Sequence, residues 1–450
     1  TGSRCSGMWS TSPSSAATRA DTADSMTSRI ERAALTLQGI NADLDRSPLL
    51  VERSDGLRLH AGWNVLGTFE TSLRPHRNLT VAERVRVEGA ASDVRWVTRE
   101  LMGRFHFGAW TLAAGRGTRA LGRGERGHLL LDENAAPIDR VELRSDQPLH
   151  LPGRLDSWGE FGVVVLNGVL PFADELPDDP RFRSGDDAVE RPNLLGMRFT
   201  WAPRPWLEVG MTRTVLYGGR GREAIDTFGE WWKLLTAESE NRVDGIDASL
   251  DNEQFASMDL EVRIPWLADF GPVESARYYI EYAGTDVYAT WQGDDTPGLS
   301  PIALTDVGVL QGGHLRIAST DLVVEHVRIH RDWYRHGEFP QGYTNGGISL
   351  GHPLGGDAEG WFVGLERSWA DRWHGRVALT FDEVGLHQGP PRRERTLLAR
   401  WERSLSGVGT LPSAVFLDLG LQVVRDARAD DRRSMHVGLG VRFGGLADAF

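Results

Sequence analysis

The residues in this sequence that are best suited to chemistry are aromatic side chains in stretches rich in turn-forming residues. Aromatic ring faces can stack on the apolar CH patches of sugars, while neighbouring Arg, Asp and Asn groups can hydrogen-bond to sugar hydroxyls. Packing within loops, or a girdle at a membrane surface, is the alternative role for such rings. We expect six of them to be exposed and to bind a polysaccharide: Trp231, Trp232, Trp291, Trp333, Tyr334 and Tyr343.

Motifs for catalysis, nucleotides and metals are weak. Residues 122–127 fit the spacing Gly-x-Gly-x-x-Gly, but Leu129 and Pro137 follow where a dinucleotide site requires a helix, which favours a close-packed loop. His326 and His330 have a metal-binding spacing only on a helix, and their neighbours alternate as in a strand. No Asp/Glu pair stands out by its spacing. We therefore expect no enzyme activity, no metal site and no cofactor.

The elements that position these residues are strands. The 450 residues carry a net charge of −13, which argues against a general nucleic-acid binder. From about Leu57 onward, apolar and polar residues alternate, and many segments begin or end in Trp. Strands of about 9–11 residues with aromatic ends are typical of a transmembrane antiparallel β-barrel. A soluble β-sandwich or propeller gives the same local alternation, but the number of strands and their aromatic ends favour the barrel.

The polar face of these strands carries full charges of both signs. In a barrel they would pair across the lumen, either holding the interior together or lining a path for an acidic sugar polymer. An open channel for small solutes is the alternative, with the charges setting its ion selectivity. The charged positions are Arg84, Arg86, Arg263, Arg316, Arg376, Arg400 and Arg442, with Glu88, Glu261, Asp382, Glu402 and Asp418.

Two regions are predicted, an N-terminal tail over residues 1–50 and a barrel over residues 51–450. Apolar residues at helical spacing within 29–46 predict one short helix after a mobile tail. Residues 220–240 predict a helix inside a long loop, and residues 293–313 a second loop; such loops face outside the cell. The sequence begins with Thr and shows no apolar leader, so we expect an export signal to lie outside it.

Two blocks of sequence resemble the Wzi family of capsule assembly proteins. The first, residues 124–137, reads Gly-Glu-Arg-Gly-His-Leu-Leu-Leu-Asp-Glu-Asn-Ala-Ala-Pro, and the second, residues 342–357, contains Gly-Tyr, then Leu-Gly-His, then Asp. The family-motif residues in these blocks are Gly127, Asn134, Pro137, Gly342, Tyr343, Gly351, His352 and Asp357.

The resemblance implies an all-β fold, an outer-membrane barrel of about eighteen antiparallel strands after a short N-terminal helical or disordered segment. It also implies a non-enzymatic, lectin-like protein that attaches or organises capsular or extracellular polysaccharide at the cell surface. The partners implied are that polysaccharide, outer-membrane lipid and the barrel-assembly machinery. A porin or diffusion channel is the main alternative, and a barrel hydrolase is a further one.

Overall fold

The computed structural model describes most of the chain. The described residues are 27–40, 55–57, 59, 61–90, 93–177, 179–185, 187–222, 225, 227–236, 252–269, 271–289, 302–335, 337, 339–369, 372–387, 389–405, 413–427 and 431–444. No helix within these ranges is long and apolar enough to cross a membrane.

A closed antiparallel barrel of eighteen strands forms the molecule, as expected. Consecutive strands pair with each other, and β1 pairs with both β2 and β21, which closes the ring. The barrel strands are β1 Thr27–Ile40, β2 Gly62–His76, β3 Leu79–Ala90, β4 Asp93–Phe107, β5 Trp110–Gly117, β6 Ile138–Ser145, β8 Glu160–Val169, β9 Asn193–Arg204, β10 Leu207–Tyr217, β11 Asn252–Arg263, β12 Val273–Ala289, β13 Ile302–Ile317, β14 Thr320–Ile329, β17 Ala358–Trp369, β18 Trp373–Val384, β19 Arg392–Ser404, β20 Ala414–Arg425 and β21 Arg432–Gly444.

The remaining elements are short. The two-residue strand β7, Leu149–His150, continues β6, and β15, Thr344–Asn345, forms a small hairpin with β16, Ile348–Ser349. One α-helix, α1, spans Phe228–Thr236 inside the loop after β10, which confirms the helix predicted there. Three 3-10 turns at Gly153–Trp158, Pro180–Phe182 and Pro265–Asp269 complete the described elements.

Alternation of residue type decides which side of each strand faces the lumen. In β20, Leu419 and Leu421 are 38% and 40% exposed on the outside, whereas Asp418 and Gln422 are buried on the inside. Trp residues at strand ends, such as Trp369 and Trp373, are exposed on the outside of the barrel. An apolar outer band with aromatic edges and a polar interior is the arrangement of a membrane barrel rather than a soluble sandwich.

The structure corrects the helix predicted within residues 29–46. Residues 27–40 form strand β1, in which Leu35 pairs with Val441 and Leu37 with Leu439. Leu35 and Leu37 are exposed on the outer face, and Gln38 is buried. A strand is favoured over a helix here because its backbone hydrogen-bonds to the edges of both β2 and β21. A helix would leave those two edges unpaired.

Two strand boundaries also differ from the prediction. Alternation within residues 57–65 predicted a strand, but β2 begins only at Gly62, because Leu57 and Leu59 pack inside against Ile40 and Leu66. The loop expected over residues 293–313 ends earlier, since β13 already begins at Ile302 and its backbone pairs with β12 and β14.

The two ends of the barrel differ in the length of their connections. At one end, β2 and β3, β4 and β5, and β13 and β14 are joined by turns of two residues. At the other end, long connections follow β5, β8, β10, β12 and β14. Outer-membrane barrels have short periplasmic turns and longer extracellular loops, so the long-loop end is the outer end.

Candidate functional site: the lumenal plug and the outer polar cluster

Three of the long connections fold into the lumen and form what we call the plug, which comprises the described residues within 118–137, 170–192 and 330–357. Their packing buries a large apolar cluster together with inward side chains of the wall. An eighteen-stranded barrel is too wide for strand side chains alone to fill. Members of this cluster that come from the plug include Leu121, Leu129, Leu130, Leu131, Ala135, Leu170, Ala173, Phe182, Trp333, Tyr334, Phe339, Tyr343, Leu350 and Leu354.

Charged groups tie the plug to the barrel wall on several sides. The Arg126 guanidinium donates to both carboxylate oxygens of Asp382 on β18, at 2.7 and 2.8 Å. The Arg123 guanidinium donates to Asp259 on β11 at 2.9 Å. The backbone N–H of Glu125 donates to Glu325 on β14 at 2.7 Å. These three contacts lie within six consecutive strands of the ring. On the opposite side, Arg119 Nε lies 3.7 Å from the Glu142 carboxylate on β6, nine strands from β18, so the plug spans the lumen.

The two family-motif blocks, far apart in sequence, contact each other inside the plug. The Asn134 side chain donates to the Gly351 carbonyl at 3.0 Å, and the Asp132 N–H donates to the Leu350 carbonyl at 2.7 Å. The carbonyl of Pro137 accepts from an Asn345 side chain in the second block, and Gly127 lies against His352 and Pro353. The Gly-rich segment 122–127 is thus a close-packed loop, as predicted.

Glycine is required at two motif positions of the second block. A Cβ atom at Gly351 would lie 2.3 Å from the Tyr334 hydroxyl and 2.4 Å from the Leu129 carbonyl oxygen. Gly342 has φ of 69°, and a Cβ there would collide with the Phe182 carbonyl. These motif residues therefore serve close packing of the plug.

His352 is wholly buried in the same contact. Its backbone N–H donates to the Tyr334 hydroxyl at 2.7 Å, and its Nδ1 accepts from the Leu354 N–H at 3.2 Å. Its Nε2 has no hydrogen-bond partner among the described residues. Burial, with Arg126 and His128 nearby, holds the pKa of His352 well below its usual range, so the ring is neutral.

Three of the six aromatic residues expected at a sugar-binding surface are in the core, so that prediction is wrong for them. Trp333, Tyr334 and Tyr343 are 0% exposed. They pack around Phe255 of β11, with ring centroids 4.6 to 6.0 Å from its ring. The loop that carries them turns into the lumen, where no sugar can reach their faces. Trp291 lies outside the described residues.

The other two aromatic residues are on helix α1, which lies against the outside of the wall. The Thr227 N–H donates to the Glu230 carboxylate and the Glu230 N–H to the Thr227 hydroxyl, a capping box that begins the helix. Trp231 packs edge-on against Tyr217 of β10. Trp232 is 53% exposed. Trp232 therefore stays a candidate for ligand contact, whereas Trp231 has a packing role.

The charges predicted on the inner face form ion pairs between and along strands. Arg86 donates to Glu88 at 2.7 Å, and Arg400 reaches both oxygens of Asp418 at 2.6 and 2.7 Å. Further pairs connect Arg84 with Glu70 and Asp55, Arg263 with Glu261, Arg316 with Glu274, and Arg442 with Glu402.

A group of polar side chains at the outer end was not anticipated as a site; we call Asp306, His330, Asp332, Asp357 and His387 the outer polar cluster. His330 Nδ1 lies 2.8 Å from Asp306 Oδ1, and His387 Nδ1 lies 2.6 Å from Asp357 Oδ1. Four of the five side chains are 34% to 50% exposed. Asp357, a family-motif residue, is buried beneath them.

The outer polar cluster offers hydrogen-bonding groups of both kinds to a ligand outside the cell. Ligand atoms of Asp306, His330 and Asp332 lie within 4.8 Å of one another, so the same groups could hold a metal ion. Asp306 lies near the outer end of β13, whereas His330, Asp332 and Asp357 come from the connection after β14 and His387 from the connection after β18. Of these five residues, only His330 was indicated by its spacing in the sequence, four residues after His326. The strand predicted for that segment is confirmed, because β14 includes His326 and ends at Ile329.

Comparison with known proteins identifies the family. No curated protein matches the sequence. Among solved structures, Escherichia coli Wzi, described as an outer membrane protein involved in group 1 capsule assembly and a carbohydrate-binding β-barrel, aligns with a TM-score of 0.62 and 16% identity over 92% of this chain and 84% of that one. Pseudomonas aeruginosa OccK5 (OpdH) and OpdQ align with TM-scores of 0.56 and 0.55, each at 10% identity over 93% of this chain and 98% of theirs.

The likeness to these structures, at such low identity, concerns the fold. The family itself is established by sequence, because the family model described as capsule assembly protein Wzi matches residues 45–389, most of the chain and both motif blocks. This chain, an outer-membrane β-barrel, therefore belongs to the Wzi capsule assembly family.

Proposed function

We propose that this barrel binds a capsular or extracellular polysaccharide at its outer end and attaches or organises it at the cell surface, without catalysing a reaction. The observation that supports this proposal is the plug. It fills the lumen and is bonded to β11, β14 and β18, so a large ligand can bind only at the outer end of the barrel. Membership of a capsule assembly family supports the same role.

Two exposed features at the outer end supply suitable chemistry. The carboxylates and imidazoles of the outer polar cluster can accept from and donate to sugar hydroxyls. Trp232 offers an aromatic face on the flank of the barrel. Each contact is weak, but a repeating polymer engages many copies and many contacts at once, so retention at the surface is strong.

The experiment deletes the gene and measures cell-bound and released surface polysaccharide, with complementation by the wild-type chain and by variants. We expect polysaccharide to shift to the medium at unchanged total in the deletion strain. His330→Ala with Asp332→Ala, and separately Trp232→Ala, should restore less cell-bound polymer than the wild type.

Trp206→Ala is the matched control, because Trp206 is 44% exposed at the short-turn end, away from the outer surface. Equal cell-bound polymer in the deletion and complemented strains would refute the attachment role. If the protein were a diffusion channel, the purified barrel would show solute-dependent conductance in planar bilayers. Because the plug fills the lumen, we expect little conductance. A large, steady conductance would favour the channel function over polysaccharide attachment.

A further inference from the structure

The outer surface of β19, β20 and β21 carries three arginines at the outer edge of the apolar band. Arg395, Arg425 and Arg433 are exposed and face outward. Side chains alternate along a strand, and adjacent residues such as Thr396 and Ser434 are buried on the inner face. Among the described residues, none of the three makes an ion pair or a hydrogen bond through its side chain. Unpaired guanidinium groups at the edge of the apolar band are suited to binding an anionic ligand.

The three arginines lie close enough to act on one group. Arg395 and Arg433 are both direct register neighbours of Val423, which lies between them on β20. Adjacent strands are about 4.8 Å apart, so their Cα atoms are about 10 Å apart. Arg425 is two residues beyond Val423 on the same face. Long, flexible guanidinium side chains can converge over this distance.

Apolar side chains begin directly below the arginines. Leu397 pairs with Leu421, and Leu421 with Met435, in the next outward-facing row. These three are 39%, 40% and 55% exposed on the lipid-facing surface. One step along each strand, about 6.7 Å, therefore separates hydrocarbon-facing side chains from the arginines. The arginines lie at the depth of lipid headgroups.

The side of the membrane is fixed by the topology. Arg395 follows the connection between β18 and β19, and Arg425 and Arg433 flank the connection between β20 and β21. Both connections are at the long-loop end, which is the outer end. The arginines therefore face the headgroups of the outer leaflet.

We propose that Arg395, Arg425 and Arg433 bind the phosphate of a phosphorylated lipid headgroup in the outer leaflet. Guanidinium groups recognise phosphate by paired, charge-assisted hydrogen bonds, and the apolar row below holds the acyl chains of the same lipid. Arg393 supplies a contrast at the same level: it donates to Glu383 at 2.9 Å, so its charge is already paired.

The test uses the purified full-length barrel in a non-ionic detergent. Binding of short-chain phosphatidic acid is compared with binding of diacylglycerol with the same chains and of inorganic phosphate, by native mass spectrometry. We expect the wild type to bind phosphatidic acid far more tightly than either comparison ligand. Replacing all three arginines, R395Q, R425Q and R433Q, should weaken binding on the order of 100-fold.

The matched control replaces three exposed arginines at the short-turn end, R154Q, R204Q and R372Q, which changes the net charge equally. It should bind phosphatidic acid like the wild type. Heat-modifiable gel mobility checks that each variant is a folded barrel, and the double variant R395Q and R433Q serves if the triple variant does not fold. Its loss of binding is smaller but in the same direction.

Three results would overturn the proposal. Equal weakening in the control variant would indicate a general effect of charge rather than a site. Inorganic phosphate binding as tightly as phosphatidic acid would indicate an anion site without a lipid. Unchanged lipid binding in the triple variant, with loss of binding to an acidic polysaccharide instead, would assign the arginines to the polymer.

Discussion

Replacing Arg126 should release the plug from the barrel wall. Arg126 and Asp382 are both nearly fully buried, and the guanidinium donates to both carboxylate oxygens at 2.7 and 2.8 Å. Arg126→Met keeps most of the side-chain volume but leaves the Asp382 carboxylate without its cation. Removing one partner of a buried ion pair costs about 3–5 kcal/mol, so the plug should open on the order of 100-fold more often or beyond.

Hydrogen exchange of backbone amides measures this opening in the folded barrel. The informative amides are Leu121, which donates to the Leu131 carbonyl, and Asp132, which donates to the Leu350 carbonyl. Both should exchange faster in Arg126→Met, while amides in the wall strands keep their protection. Single-channel conductance should show more frequent openings in the same variant.

Two further variants decide whether the buried charge is the cause. Arg126→Met combined with Asp382→Leu removes both charges, and it should recover much of the lost protection because no unpaired ion remains. Arg220→Met breaks an ion pair with Glu190 that lies at the surface, and it should leave exchange of the plug unchanged. Equal exchange rates in Arg126→Met and the wild type would refute the reasoning.

Three other changes probe the contact between the motif blocks, each read by amide exchange of the plug. Gly351→Ala should lower plug stability by about 1–3 kcal/mol, because its Cβ meets the Tyr334 hydroxyl and the Leu129 carbonyl. Tyr334→Phe should lower it by about 1–3 kcal/mol, because the His352 N–H and the Leu129 carbonyl lose their shared hydroxyl. Lowering the pH from about 7 to 5 should destabilise the plug, and His352→Gln should reduce this dependence; equal pH profiles would contradict it.

The sign of the pH effect follows from the lowered pKa of His352. Above the unfolded-state pKa of about 6.5, the ring is neutral in both states and the stability is fully present. As the pH falls below that value, the unfolded ring takes up a proton that the buried ring does not. The stability contributed by the buried ring is then lost progressively as the pH falls toward the folded pKa.

The strands of the wall could be predicted from sequence because each must face lipid on one side and a polar interior on the other. That constraint imposes a period of two, which the outward Leu419 and Leu421 and the inward Asp418 show in β20. Strand β1 was wrongly predicted as a helix because the spacing of its Ala and Leu residues also fits a helical period. Only the pairing of Leu35 and Leu37 with distant β21 decides between the two.

The positions of the aromatic residues could not be predicted from residue type. Trp232 and Trp333 both occur in long connections, yet one is half exposed and the other is fully buried. What differs is the path of the chain, since the second connection turns into the lumen. The signal that could have indicated this is the glycine content around Tyr343 and His352, because glycines such as Gly351 occur where backbone approaches too closely for a Cβ.

The same polar inner face fits both a water-filled channel and the wall of a plugged barrel, and the partners of its carboxylates distinguish the two. Glu325 accepts from the backbone N–H groups of Glu125 and Arg126, and Glu281 accepts from those of Arg123 and Leu129. In an open channel, water would solvate these oxygens. Here they accept hydrogen bonds from backbone amides of the plug. Without these acceptors the amides would be buried unpaired, which would destabilise the folded barrel. Polar groups of the wall and the plug therefore satisfy one another around the apolar cluster, which supports the proposed binding at the outer end over transport through the lumen.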